Sequence, residues 1–241
     1  MRVAVIGGGV VGAAVAHALQ SAGHTTTLIE RGTPGMGASF GNAGHIGTAS
    51  ILPQAVPGIW RNVPRWLRDP ASPLAVRPAS MLRHLPWFLR FLANSPHGAM
   101  KRNAAALAAL LAEVPAAWRD LAADCDAEAL FDRTSGLLHV FERRAALDSA
   151  RWAYDLRAAH GVRVVELDGE ATRAREPCLA PHVQAGMWLP DVALVRDPLA
   201  LTTTVVVRFQ ALGGTLLQAD VTRFHAERDR LRAAETSTGP V

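Results

Sequence analysis

The first thirty residues switch between hydrophobic patterns of two different periods. Arg2-Val-Ala-Val-Ile6 is a short β-branched run that predicts a buried strand. Apolar residues then recur at helical spacing (Val11, Ala14, Val15, Ala18, Leu19) until Gly23 offers a stop. Thr25–Glu30 returns to a strand pattern and ends on an acid. Further on, Leu107, Leu110, Leu111, Val114, Trp118 and Leu121 keep helical spacing; Pro115 is expected to kink or split the helix, and the stripe reads as core. Leu130–Glu142 predicts one or two strands joined near Ser135-Gly136, Ala145–His160 a helix closed by Gly161, and Val162–Leu167 a strand. Asp197-Pro198 sets a capping acid before a proline at the first helical position, so a helix is expected despite the β-branched run Thr202–Val207. Thr215–Ala219 and Val221–His225 read as strands, with a turn at Asp229 into Leu231–Thr236.

Composition narrows the class. With 241 residues, 49% hydrophobic and 19% charged, the chain is too apolar for disorder and long enough to build a core without staples. Cys125 and Cys178 form no CxxC, which favours a reducing, cytoplasmic setting. The stretch from Arg2 to Leu19 imitates a signal peptide, with Ala16-His17-Ala18 as a mock cleavage site, but Gly7, Gly8, Gly9 and Gly12 interrupt it. The longest other apolar run, Ala104–Ala112, stops at Glu113, short of the roughly 18 residues of a membrane span. The net charge of +4 comes with a single lysine, Lys101, and no basic block, so nucleic acid is not an expected partner. Nine histidines show no HxH or HExxH spacing, and no metal site is expected.

One local excess stands out between Trp60 and Leu92. Arg61, Arg65, Arg68, Arg77, Arg83 and Arg90 face the single acid Asp69, interleaved with Trp60, Trp66 and Trp87. Such a mixture suits peripheral contact with an anionic membrane surface. The expectation preferred here is plainer: the tryptophans pack in a helical subdomain and the arginines reach outward.

The chemistry concentrates where the first strand meets the first helix. Gly7-Gly8-Gly9-Val10-Val11-Gly12, following Ile6, contains G-x-G-x-x-G. Gly7 permits a tight turn, Gly9 lets a pyrophosphate approach the backbone, and Gly12 lets the helix pack close to the strand. The helix N-terminus offers unpaired N–H groups to phosphate. Glu30 lies 18 residues beyond Gly12, at the end of the second strand, where an acid accepts hydrogen bonds from ribose hydroxyls and repels a 2′-phosphate. Strand, glycines, helix, strand and acid in register point to dinucleotide binding, against a purely structural βαβ unit. Gly37-Ala38-Ser39-Phe40-Gly41 matches the G-x-S-x-G nucleophile elbow, but its flanks are loop-like, so a hydrolase is not the expected reading. Gly37–Gly47 reads instead as a glycine-rich surface laid against something flat.

These residues resemble the FAD-dependent D-amino-acid dehydrogenases, within the D-amino-acid oxidase and glycine oxidase superfamily. The resemblance rests on Val5–Gly12, Glu30-Arg31 and Gly37–Ile46, and continues through Leu67–Pro78, Leu85–Leu92 and Leu189–Pro198. It implies an α/β chain: a Rossmann-like FAD-binding domain (1–58 and 197–241) with an inserted α+β substrate domain behind a helical segment (59–196), both incomplete at the C-terminal side. In the family, a hairpin like the one here leads into a further strand and a large segment that closes the substrate sheet. The fingerprint strand is expected near the middle of a parallel sheet and needs both edges paired or covered.

The resemblance also assigns residues. Ile6, Gly7, Gly8, Gly9, Val10, Val11 and Gly12 match the pyrophosphate loop, and Glu30 with Arg31 the adenosine end. Ser39, Asn42, Ala43 and Gly44 match the segment passing near the flavin, and Val221 the strand position whose backbone meets the adenine. The implied reaction oxidises the C–N bond of a D-amino acid or related amine to a 2-oxo acid and ammonia, with electrons leaving to a quinone or other carrier. No catalytic residue is assigned. The alternatives are a non-catalytic truncated product and one subunit of a split flavoenzyme, completed by a partner chain.

Overall fold

The computed structural model describes residues 1–68, 78–228 and 230–241. Strand β1 (Arg2–Ile6), helix α1 (Val10–Ser21) and strand β2 (Thr25–Glu30) follow the predicted pattern. A 3-10 turn over Ile59–Asn62 and the short helix α2 (Val63–Trp66) come before helices α3 (Pro78–Ala93), α4 (His97–Leu111) and α5 (Val114–Asp124). Next come β3 (Phe131–Asp132), β4 (Leu137–Phe141), α6 (Arg144–Ala159), β5 (Val165–Asp168), α7 (Gly169–Arg175) and β6 (Ala185–Leu189). Then follow β7 (Leu194–Val195), α8 (Pro198–Ala211), β8 (Thr215–Gln218), β9 (Val221–Glu227), β10 (Arg230–Thr236) and β11 (Gly239–Pro240). The turn expected at Asp229, like most of the Leu67–Pro78 segment, lies outside the described residues.

Two compact units result. The first gathers Met1–Ile46, Ala116–Ser135 and Ala193–Val241 around a parallel sheet of order β1-β2-β8. β2 has neighbours on both sides, so Leu28 and Ile29 are buried. β1 differs from the expectation of a buried, central strand. Among the described residues its only strand partner is β2, its burial alternates along its length, and Ile6 is 50% exposed. Helix α1 packs on α8, and Gln20 ties them to the sheet, its amide donating to the Leu212 carbonyl and accepting from the Thr26 N–H.

Helix α8 forms against the strand preference of Thr202–Val207. Asp197 accepts a capping bond from the Ala200 N–H at 2.9 Å and Pro198 opens the first turn. Thr202 turns its hydroxyl back onto the Pro198 carbonyl, while Leu201, Val205, Val206 and Phe209 bury their side chains. Packing of that face outweighs a propensity difference of a few tenths of a kcal/mol per residue.

Residues 116–135 join this unit although the sequence division set 59–196 apart. Asp124 bonds Arg208 of α8, the Arg196 N–H donates to the Leu130 carbonyl, and β3 pairs with β7. The β9–β10 hairpin is antiparallel, and β9 is exposed along nearly all its length.

The second unit, Gly47–Pro115 with Gly136–Val192, is built on an antiparallel sheet of order β4-β6-β5. Its central strand β6 escaped the sequence reading, because Ala185-Gly186 at its start carries no β-branched signal. The core joins Leu147 and Tyr154 of α6 to Ala185, Met187 and Leu189 of β6. The Tyr154 hydroxyl lies 2.7 Å from His139 Nδ1, so a tyrosine with no role legible in sequence anchors this core.

Two expectations need correction. Two of the three tryptophans do not pack inside: Trp60 is 57% and Trp87 58% exposed, Trp87 lying on α3 between the exposed Leu85 and Leu89, whereas Trp66 is half-buried. The leucine stripe is only half-buried: Leu107, Leu111, Val114, Trp118 and Leu121 are partly covered. Helix α4 ends at Leu111 and α5 starts at Val114, so the helical phase breaks before Pro115, and Leu110 is 72% exposed. Ala104 and Ala122 are the buried positions there.

Core positions and stripe positions therefore respond differently to truncation. Leu147→Ala is expected to cost about 2–5 kcal/mol and Leu110→Ala less than about 0.5 kcal/mol, read from urea unfolding midpoints.

Candidate functional site

The site grows from the turn between β1 and α1. Gly7 has φ of +100°, a region closed to most side chains, and its N–H donates to the Ile29 carbonyl at the end of β2. A methyl group on Gly12 would lie 1.8 Å from the Gly7 carbonyl oxygen, so only glycine lets α1 start this close to the turn. Gly9 stands at the N-cap with no side-chain cap, and no acid occupies the first turn. The positive end of a twelve-residue helix therefore faces the turn with no acid of its own first turn against it.

Glu30 closes the turn from the end of β2. Its carboxylate accepts from the Gly8 N–H at 2.6 Å and from the Gly32 N–H at 3.0 Å. Partial burial raises its pKa, but the Gly32 and Gly8 donors and the Arg31 charge outweigh burial and leave it below the ordinary value. Gly8 is buried under this contact; a Cβ there would come within 2.9 Å of the Glu30 Cβ. Glu30 thus fixes the glycine turn as well as ending the strand, a structural task that the sequence reading did not assign.

Around this turn lies a cleft of about 700 Å³, wholly within the first unit. Ile6, Gly7, Gly9, Val10, Val11, Glu30, Arg31, Ser39 and Val221 all line it. Ser39 is buried and its hydroxyl accepts from the Val10 N–H at 2.8 Å, bringing the Gly37–Gly47 loop onto the helix start. No strand precedes Ser39 and no helix follows it, so the elbow geometry of a hydrolase is missing here.

Asn42, Ala43 and Gly44 stand outside the cleft lining. The Asn42 amide donates to the Ser39 carbonyl, and its oxygen accepts from the Gly44 N–H. Gly44 has φ of +65° and backs onto β7, where a Cβ would meet the Val195 carbonyl oxygen at 2.0 Å. These residues shape the loop in this structure. His45 bridges to Leu194, and burial alone lowers its pKa.

The cleft also takes Thr33, Gly35, Met36, Ala219 and Asp220, which the sequence reading missed. Gly35 donates its N–H to the Gly8 carbonyl and Ala219 to the Glu30 carbonyl. Their signal was positional: they follow the C-terminal ends of parallel strands β2 and β8, where ligands of open α/β sheets bind.

Comparison with known proteins matches residues 2–241 to the model of the FAD dependent oxidoreductase family. The chain belongs to that family. It is 35% identical over 243 residues to a D-amino-acid oxidase of Bradyrhizobium diazoefficiens, covering all of this chain and 57% of that protein. It is also 35% identical over 252 residues to a D-amino acid dehydrogenase of Methylobacterium sp. (strain 4-46), covering 100% of this chain and 58% of the relative. The chain therefore spans under two thirds of the length of these relatives. Among solved structures it resembles glycine oxidase from Geobacillus kaustophilus (TM-score 0.66, 21% identity, 99% of this chain and 52% of that one). L-proline dehydrogenase from P. horikoshii gives a TM-score of 0.64 at 20% identity, over 100% of this chain and 50% of that one. At such identities these two establish the fold alone.

The cofactor of this oxidoreductase family is FAD, and the cleft suits it. The start of α1 has no side-chain cap from its own N-cap residue, Gly12 lets the helix begin close to the turn, and an acid with a lowered pKa stands beside them.

Two variants test the cradle. Gly12→Ala is expected to lower stability by about 1–3 kcal/mol and FAD affinity by about tenfold or more, since α1 or the turn must move. Glu30→Gln should cost about 1 kcal/mol at pH 7, discounted for the exposure of the carboxylate. A depressed carboxyl stabilises above its unfolded pKa and loses that contribution as pH falls through its folded value. The gap between wild type and Glu30→Gln should therefore shrink below about pH 4 in urea titrations.

Proposed function

We propose that the chain is the FAD-binding part of an oxidoreductase acting on the C–N bond of D-amino acids or related amines. The observation carrying this reading is the glycine-and-Glu30 cleft on a chain 35% identical, end to end, to proteins named D-amino-acid oxidase and D-amino acid dehydrogenase. The overall change is oxidation of the amine to an imine, which water converts to a 2-oxo acid and ammonia. Electrons then pass to a quinone or another carrier. The chemistry supplied by FAD when bound is acceptance of a hydride equivalent from the substrate Cα–H.

The chain's own groups do the holding. The N–H groups at the start of α1 face the pyrophosphate, and Glu30 and Arg31 take the adenosine end. Val221 offers backbone to the adenine. Ser39, Asn42, Ala43 and Gly44 keep the flavin-side loop small and fixed.

A second reading has one specific observation behind it. β1 has no second strand partner among the described residues, and Ile6, Val11 and Val15 are exposed beside it. An FAD cleft that turns over only with a further segment or partner chain laid along that edge fits this exposure.

One assay separates the two. Purified chain incubated with FAD should retain yellow flavin, and it should reduce a dye with at least one D-amino acid, glycine, sarcosine or D-hydroxyproline. Retained flavin without dye reduction selects the second reading. Failure to retain flavin contradicts both.

The same proposal sets the protein in the cytoplasm with peripheral contact to an anionic membrane. Exposed Trp60, Trp87 and Leu89 lie among the exposed Arg61, Arg83 and Arg90, and no helix among the described residues is long and apolar enough to cross a bilayer. The protein should sediment with phosphatidylglycerol vesicles at low salt and release as salt rises. No co-sedimentation at low salt would remove the membrane from the account.

A further inference from the structure

Outside the cleft lining, where α1 meets the end of α5, three side chains of different chemistry converge. His17 Nε2 lies 2.7 Å from Asp124 Oδ2, and these atoms and the Cys125 sulfur are all within 4.8 Å of one another. His17 is 6% and Cys125 5% exposed, whereas Asp124 opens to solvent. All three belong to the first unit.

Linear spacing conceals this group. His17 comes from the middle of α1, while Asp124 is the last residue of α5 and Cys125 the next one along. The chain closes α5 by bonding the Cys125 N–H to the Leu121 carbonyl and taking Asp126 to φ of +53°, which holds the sulfur inward beside His17. The sequence expectation of no metal site rested on short histidine spacings, and this cluster has none.

We infer that His17, Asp124 and Cys125 form a site for a thiophilic divalent cation of the Zn²⁺ class. Imidazole, carboxylate and thiolate are the donor types Zn²⁺ selects, and the sulfur disfavours Mg²⁺ and Ca²⁺. Bonds of about 2.0–2.3 Å in tetrahedral geometry set ligand atoms roughly 3.3–3.8 Å apart, so the cluster needs only small shifts. The His17–Asp124 contact opens by roughly half an ångström. A water completes the coordination from the Asp124 side.

The surroundings agree with a cation. The carbonyl end of α5 carries partial negative charge toward the cluster. Arg208 bonds the other oxygen of Asp124 at 3.1 Å and so orients the carboxylate without blocking Oδ2. The ion would cross-link α1, the helix carrying the glycine turn, to the end of α5.

The test uses the full chain and metal alone. Zn²⁺ titration should give one site. His17→Gln and Cys125→Ser should each weaken it by about 10- to 100-fold or more, and Cys178→Ser, which removes the exposed thiol, should leave it unchanged. Co²⁺ added to the Cys178→Ser chain should show a sulfur-to-cobalt charge-transfer band, a readout that does not depend on the Cys125 variant folding. Absence of that band, or Zn²⁺ binding that survives Cys125→Ser, overturns the site.

Discussion

Two backbone N–H groups, those of Gly8 and Gly32, point at one carboxylate, and most of the first unit depends on that arrangement. The Gly7 N–H on Ile29, the Gly35 N–H on Gly8 and the Ser39 hydroxyl at Val10 hold the rest of the turn. Gly7 is free to adopt φ of +100°, but the same freedom leaves the unfolded turn with high entropy. Glu30 offsets part of that entropy from the end of the adjacent strand. Its position follows from the parallel register that sets Ile6 against Ile29. A one-residue slip would direct the side chain at position 30 to the other face of the sheet. The α1 start, the Ser39 contact and the cleft all follow from this register.

The site was legible where its determinants are local in sequence. Gly7 and Gly12 are held to glycine by a positive φ and a close backbone approach, which a strand, a turn and a helix in succession already imply, and Glu30 ends the second strand. Ser39 and Val221 were placed by resemblance, and both line the cleft. Gly35 and Asp220 were not legible, since what brings them to the cleft is the path of the chain after β2 and β8. Asn42 and Gly44 show a different limit: a motif marks a loop, yet its polar atoms can be spent on shaping that loop.

Fold reading succeeded and failed along the same line. Helix α8 was legible despite six β-branched residues, because Asp197-Pro198 is a local start signal with its own hydrogen bond. Strand β6 was not, because its place between β4 and β5 comes from long-range pairing. The tryptophans near residues 60 and 87 carried the apolar content of a core, but burial is set by what covers a side chain. Among the described residues little covers these two. Residues 116–135 pack with the first unit rather than with the 59–196 segment that the resemblance implied, since the Asp124–Arg208 bond and the β3–β7 pairing join segments far apart in the chain.

We propose that the cleft of the first unit takes the adenosine diphosphate end of the cofactor. Its lining comes from the end of β1, the glycine turn and the start of α1, the end of β2 with the loop after it, and the β8–β9 connection with the first residue of β9. The direct measurement is competition against bound FAD on the full chain, with ADP and FMN as separate competitors. ADP is expected to displace FAD at concentrations where FMN does not. Displacement by FMN with ADP inert would contradict it.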